Sequence, residues 1–305
     1  MPNKAEEKLS DRMDALLLKL DKAPLAPTSI FKTEAQKEHY ESLLMFAFRK
    51  RQGAQYHRKR IDVIAAVEQA EADKILKAPE GSIELKPSSI KMSISKSNND
   101  YAHELSAFCA AIRTSMDFLA RLLAEHTKAV QVFSISSYLS WAEEGRTGPT
   151  VAVIAKHAKW LRHIQSYRDY LIHRLVLNTM SGQERVYRHG TWANNAYPVT
   201  VPSETLKHVP DTRRSRMMDE PEQRFNYSTT KAWLTDEKGE STIFQHSIEI
   251  SPREGDIRIE EMMDRELKAF DSFFNDLVEV LLVLDFAPAA IALPKAGASN
   301  LVKST

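Results

Sequence analysis

One cysteine in 305 residues is too few for an intramolecular disulfide or a multi-cysteine metal site. That residue, Cys109, follows Phe108 and precedes Ile112 at helical spacing, and it reads as core. An excess of one charge is also lacking: 42 Lys and Arg against 41 Asp and Glu leave a net charge of +1. No global field draws the chain to nucleic acid, so any polyanion site must be local. No glycine-rich phosphate loop and no nucleophile elbow occurs. His157 and His163, six positions apart, are expected on opposed sides of a helix, and no metal or other cofactor is expected. A membrane span is not expected either. The one candidate, Leu277 to Leu293, carries Glu279, Asp285 and Pro288, and its carboxylates would cost several kcal/mol in hydrocarbon. The N-terminal MPNKAEEKLSDRMD has no apolar run of secretory type behind it, so a cytoplasmic location is expected.

What the chain has in abundance is helical periodicity, and at 43% hydrophobic residues it can bury a substantial core. Met13, Leu16, Leu17 and Leu20 mark an amphipathic helix over 4–22. From Thr33 to Lys77 there is no proline and one glycine, so the pattern predicts one long helix or two in series broken near Gly53. Residues 78–99 read as a connector with short β-type runs, SIEL and IKMSIS. The cleanest stripe follows between Tyr101 and His126: Leu105, Phe108, Cys109, Ile112, Met116, Leu119 and Leu123. After a short helical or looped piece, the turn GRTGPT opens a helix over about 150–177, with Pro149 suited to its first turn. Glycines and prolines punctuate 182–256, where one hairpin over about 224–250 plus loops is expected. The last helix is predicted over 257–284, with Asp256 as N-cap.

The fold expected is mainly α: a helical bundle with a partly β, hairpin-bearing insertion before the last helix. Residues 1–99 would supply N-terminal helices and a connector packed on the bundle, and 100–181 with 257–290 the bundle core. Residues 182–256 would form the insertion and 291–305 a flexible tail, and a separate domain at 182–256 is the rival arrangement.

One segment carries chemistry. In SYRDYLIHRLV, Arg168 and His173 stand five positions apart with Asp169 between. At 100° per residue, Asp169 and His173 lie within about 40° of each other, and Arg168 about 140° round from His173. The carboxylate can orient the imidazole, and the guanidinium can bind a phosphate in bidentate fashion. Metal-free RNA cleavage requires such a set, with proton transfer at the ribose 2′-OH and the 5′ oxygen and a cation at the crowded phosphorus. One histidine does not easily fill both proton-transfer roles, whereas two copies across a dimer axis do. Arg121 with His126 repeats the spacing and Arg51 with His57 comes near it at six positions, but the first pair sits on a core face and the second spans Gly53. The bland alternative is that Arg168 and Asp169 pair with helix neighbours while His173 caps the helix end.

Arg168-x4-His173, with a polar residue straight after the arginine, resembles the signature of the HEPN superfamily over about residues 100–180 and the last helix. The resemblance implies a helical bundle and a metal-independent endoribonuclease, often of toxin or defence type. It implies Arg168, Asp169 and His173 as the catalytic set at a homodimer interface. Leu175 stands where one toxin branch carries a modified tyrosine, which argues against an antitoxin of that kind. RNA is the expected substrate, with Tyr167, Arg174, Tyr187, Arg188 and Trp192 as candidate binding residues, since aromatic and basic side chains stack and pair with unpaired RNA. The alternative is a non-catalytic helical scaffold that holds RNA or a protein.

Overall fold

A computed structural model describes residues 4–26, 29–76, 90–127, 132–173, 175–176, 180–188, 191–203, 222–223, 225–235, 241–252, 255–284 and 286. The fold is mainly α. Its helices are α1 (Lys4–Asp21), α2 (Glu34–Ile75), α3 (Asp100–Thr127), α4 (Ile135–Glu143), α5 (Pro149–His173) and α6 (Ile259–Val283). Its strands are β1 (Ile90–Ser97), β2 (Leu175–Val176), β3 (Met180–Arg188), β4 (Thr191–Tyr197), β5 (Thr200–Pro202), β6 (Glu222–Gln223), β7 (Phe225–Thr235), β8 (Ser241–Pro252) and β9 (Asp256–Arg258). The chain divides into two compact units. The first is Met1–Tyr56 with Ala107–Gln165 and Arg265–Thr305, and the second is His57–Ser106 with Ser166–Asp264. Their boundaries fall inside α2, α3, α5 and α6.

The first unit is helix packed on helix. Leu9, Met13, Leu16 and Leu20 of α1 are buried at the spacing that puts them on one stripe. Every residue of the α3 stripe from Phe108 to Leu123 is buried, Cys109 included. Against them α6 buries Phe270, Phe273, Phe274, Leu277 and Leu281, with Phe270 and Phe274 edge to face at 6.0 Å. Polar pins set the register. Arg51 binds both carboxylate oxygens of Asp271, Ser115 Oγ donates to the Ala47 carbonyl at 2.7 Å, and Lys19 Nζ caps α6 by donating to the carbonyl of Leu282 at 2.6 Å. The short piece before α5 is helical: Ser134 caps α4, its hydroxyl accepting from the Ser137 N–H at 3.2 Å while Ser137 Oγ accepts from the Ser134 N–H at 3.0 Å. The following turn places Gly145 and Gly148 at φ of +81° and +139°, and Pro149 is the first residue of α5.

The second unit combines helix segments with short sheets. β1, β3 and β4 form an antiparallel sheet in the order β1-β3-β4, and β7 pairs with β8 as a long hairpin with an irregularity between Ala232 and Trp233. β5 pairs with β9 antiparallel, and β2 with β6 parallel.

Of the two arrangements expected for Thr33–Lys77, the single long helix is found and the break near Gly53 is not: α2 runs unbroken there, because one glycine costs a helix only about 1 kcal/mol and buried Arg51 and Ala54 hold the chain on either side. Three further expectations need correction. α5 stops at His173 and not near 177: Leu175 and Val176 take their hydrogen bonds from β6. The region 182–256 holds more than one hairpin, since β3–β4 is a second. Asp256 lies in β9 and does not cap α6, whose first turn carries Glu260 and Glu261 instead. The SIEL run and the tail 291–305 lie outside the described residues.

Candidate functional site

The last two turns of α5 carry the motif. Tyr167, expected to bind substrate, is fully buried, and its hydroxyl donates to the Pro202 carbonyl of β5 at 2.9 Å. It is a strut, and the expectation for it is corrected. Arg168 and Asp169 reach the surface, at 37% and 53% exposure, and Arg168 Nη1 donates to Asp169 Oδ1 at 2.9 Å. The Arg168 Nε is enclosed and has no hydrogen-bond acceptor among the described residues. An N–H in that condition favours any oxygen that can reach it. His173 is the final residue of α5. Its side chain, and with it the expected Asp169–His173 contact, lies outside the described residues, as does Arg174.

The remaining candidates belong to the β3–β4 hairpin, which places them in strands where loops were expected. Tyr187 pairs directly with Trp192 across the ladder, and Arg188 pairs with Thr191 at the turn end. Their side chains lie outside the described residues.

No family model, curated protein or solved structure matches the chain. The functional reading therefore rests on the residues alone.

Two constellations escaped the sequence reading. In the second unit, Glu68 of α2 accepts from Asn98 Nδ2 at 2.9 Å, the Tyr101 hydroxyl at 3.0 Å and Ser181 Oγ at 2.6 Å. It lines a cavity of about 170 Å³ with Gln183, Tyr197, Arg258 and Glu260. Burial, followed by the charge and hydrogen bond of Glu68, pushes the Tyr101 hydroxyl well above its ordinary pKa, so it stays a donor.

In the first unit, α5 and α6 meet through charged groups. His157 Nε2 donates to Asp276 Oδ2 at 2.6 Å, and His163 Nε2 lies 3.3 Å from Glu266 Oε1. Both rings thus face α6, which corrects the expectation that they oppose each other: a spacing of six turns the second only about 120° from the first. Among the described residues no cluster of three or more His, Cys, Asp or Glu could hold a metal ion. Glu266 is buried on the apolar stripe of α6, where Trp160 Nε1 donates to its Oε2 at 2.8 Å and Arg265 Nε to its Oε1 at 2.8 Å. Burial alone would raise its pKa. The hydrogen bond and charge of His163, the Arg265 charge and the indole N–H outweigh that, and the carboxyl sits below its ordinary value, ionised at neutral pH. An acid at a core position, between Met263 and Phe270, was the readable signal.

None of the described helices is long and apolar enough to cross a membrane.

Proposed function

We propose that the chain is a metal-independent endoribonuclease of HEPN type, in which Arg168 binds the scissile phosphate, Asp169 holds the active groups in place and His173 transfers protons. The 2′ oxygen attacks phosphorus as its proton passes to an imidazole. The bond to the 5′ oxygen then breaks, and that oxygen takes a proton, leaving a 2′,3′-cyclic phosphate and a 5′-hydroxyl. Two copies of His173 across a homodimer axis would serve as base and acid. A cytoplasmic defence or toxin–antitoxin setting suits such an activity.

The observation that carries this reading is the Arg168–Asp169 pair, surface-reaching, near the end of a bundle helix whose last residue is His173. The guanidinium keeps donors beyond the one Asp169 engages. The test is incubation of mixed RNA with wild-type and His173→Ala protein in the presence of a chelator, followed by analysis of the cleaved ends. Cleavage by wild type alone, leaving cyclic phosphate, is the expected result. Equal cleavage by both folded proteins, or none by wild type, overturns the assignment.

A second reading, a scaffold that holds RNA or a protein without cleaving it, is favoured by the same ion pair seen differently. Asp169 cancels the charge of Arg168, which weakens its pull on a phosphate. RNA binding without cleavage in the same assay would favour the scaffold.

A further inference from the structure

Between Pro149 and Gln165, α5 carries Lys156, His157, Lys159, Arg162 and His163 and not one acid. The countercharges come from other elements. Asp276 takes Lys156 and His157, Glu143 takes Arg162, and Glu266 takes His163 together with Arg265. Lys159 and Lys268 are exposed and have no ion pair among the described residues. Helix spacing sets Lys159 one turn from His163, and Lys268 one turn from Arg265.

The Glu266 cluster is layered. The carboxylate is 2% exposed, while His163 and Arg265 are 24% and 43% exposed. Arg265 Nη2 lies 3.5 Å from His163 Nε2, and both side chains rest on the same Glu266 carboxylate oxygen beneath them. Solvent therefore meets the imidazole and guanidinium edges, with the negative charge behind them. Burying a carboxylate is costly unless every oxygen is satisfied, and here the indole, imidazole and guanidinium satisfy both. The consequence is a surface on which a histidine and an arginine are held side by side by a fixed anchor, with Lys159 one helical turn from the histidine and Lys268 one turn from the arginine.

We propose that this face of α5 and α6, built from Lys159, His163, Arg265 and Lys268, binds the phosphate backbone of single-stranded RNA. The charge arrangement stands independently of the Arg168 motif, while the choice of RNA among polyanions rests on the ribonuclease reading. Guanidinium and ammonium groups neutralise phosphates and release their counterions, so the number of phosphates neutralised sets how steeply binding weakens with salt.

The experiment measures fluorescence anisotropy of a short labelled single-stranded RNA at several salt concentrations, with the full chain carrying His173→Ala to prevent cleavage. Lys159→Ala combined with Lys268→Ala is compared with that parent, because exposed lysines can be truncated without disturbing the fold. The double variant is expected to bind severalfold more weakly, with a log–log salt slope shallower by about 1.4, two phosphates at about 0.7 each. Unchanged affinity and slope, or no RNA binding by the parent, overturns the proposal. Cleavage by wild type with unaltered binding in the lysine variant removes this surface and leaves the ribonuclease reading standing. Weakened binding in the variant, with no cleavage by wild type, supports the surface and removes the ribonuclease.

Discussion

Arg51 of α2 donates from Nε and Nη2 to the two oxygens of Asp271 of α6, at 2.7 and 2.9 Å, and the guanidinium is buried. A planar fork on a carboxylate is the strongest form of such a pair, and its value lies in not being broken. Asp271→Ala leaves a cation buried without its countercharge and is expected to cost about 3–5 kcal/mol in urea unfolding. Replacing both partners, Arg51→Met with Asp271→Leu, should cost clearly less than Asp271→Ala alone. If the double variant proves as unstable as the single one, the pair is not what sets that cost.

Arg51 also shows what local pattern can and cannot convey. The apolar stripe of α3 was legible because seven side chains repeat at one period, and all seven are buried. The polar pins between helices were not, since Arg51 finds its partner 220 residues along the chain. The Arg51/His57 spacing that resembled a motif belongs to two separate contacts, Arg51 being held by Asp271 and His57 by Glu104 at 2.7 Å. β3 was missed for a related reason: Gly182 interrupts its pattern, and its partner β1 lies about ninety residues upstream. Of the candidate site, the Arg168–Asp169 ion pair matches the bland alternative, in which the two pair within the helix, while the Asp169–His173 contact that the spacing suggested lies outside the described residues. Tyr167 was not legible as a strut, because its acceptor is a backbone carbonyl of β5.

A second prediction concerns His126. It is buried, Tyr40 donates to its Nε2, and the rings of Tyr40 and Phe286 pack against it. Burial first, and the charge of Lys19 second, push its pKa down to about 4. The unfolded chain takes up this proton below about pH 6.5, and the folded chain does so only near 4. Across that window the unfolded state binds more protons, so stability is full above the window and falls as pH drops through it. The loss is on the order of 3 kcal/mol. His126→Gln should remove this part of the pH dependence, which urea unfolding at pH 4 and pH 7 would measure. An unchanged difference between the two pH values places the acid sensitivity in other groups.

The third prediction uses Gly53. A Cβ built there would lie 3.9 Å from the Cβ of Ala111, an ordinary contact, and the backbone is helical. Gly53→Ala is therefore expected to stabilise the protein by about 0.5–1 kcal/mol, chiefly by reducing the freedom of the unfolded chain. A raised urea midpoint with an unchanged slope would bear this out. A lowered midpoint would mean that the helix needs the glycine to keep α2 close to α3 at that point.

The fourth prediction separates the two roles open to Asp169. If it holds the active groups in place for proton transfer, Asp169→Asn keeps the shape and part of the hydrogen bonding but removes the charge, and cleavage should slow by at least about tenfold while RNA binding persists. If it only neutralises Arg168, the same change releases a cation at the surface. RNA should then bind more tightly and the salt slope should steepen by about 0.7, with no loss in the rate of cleavage. The two outcomes differ in sign for binding and in magnitude for rate, so one variant measured by both readouts decides between them. The ribonuclease reading predicts the first, because an arginine on a scissile phosphate gains from a carboxylate only if that carboxylate does something besides weakening it.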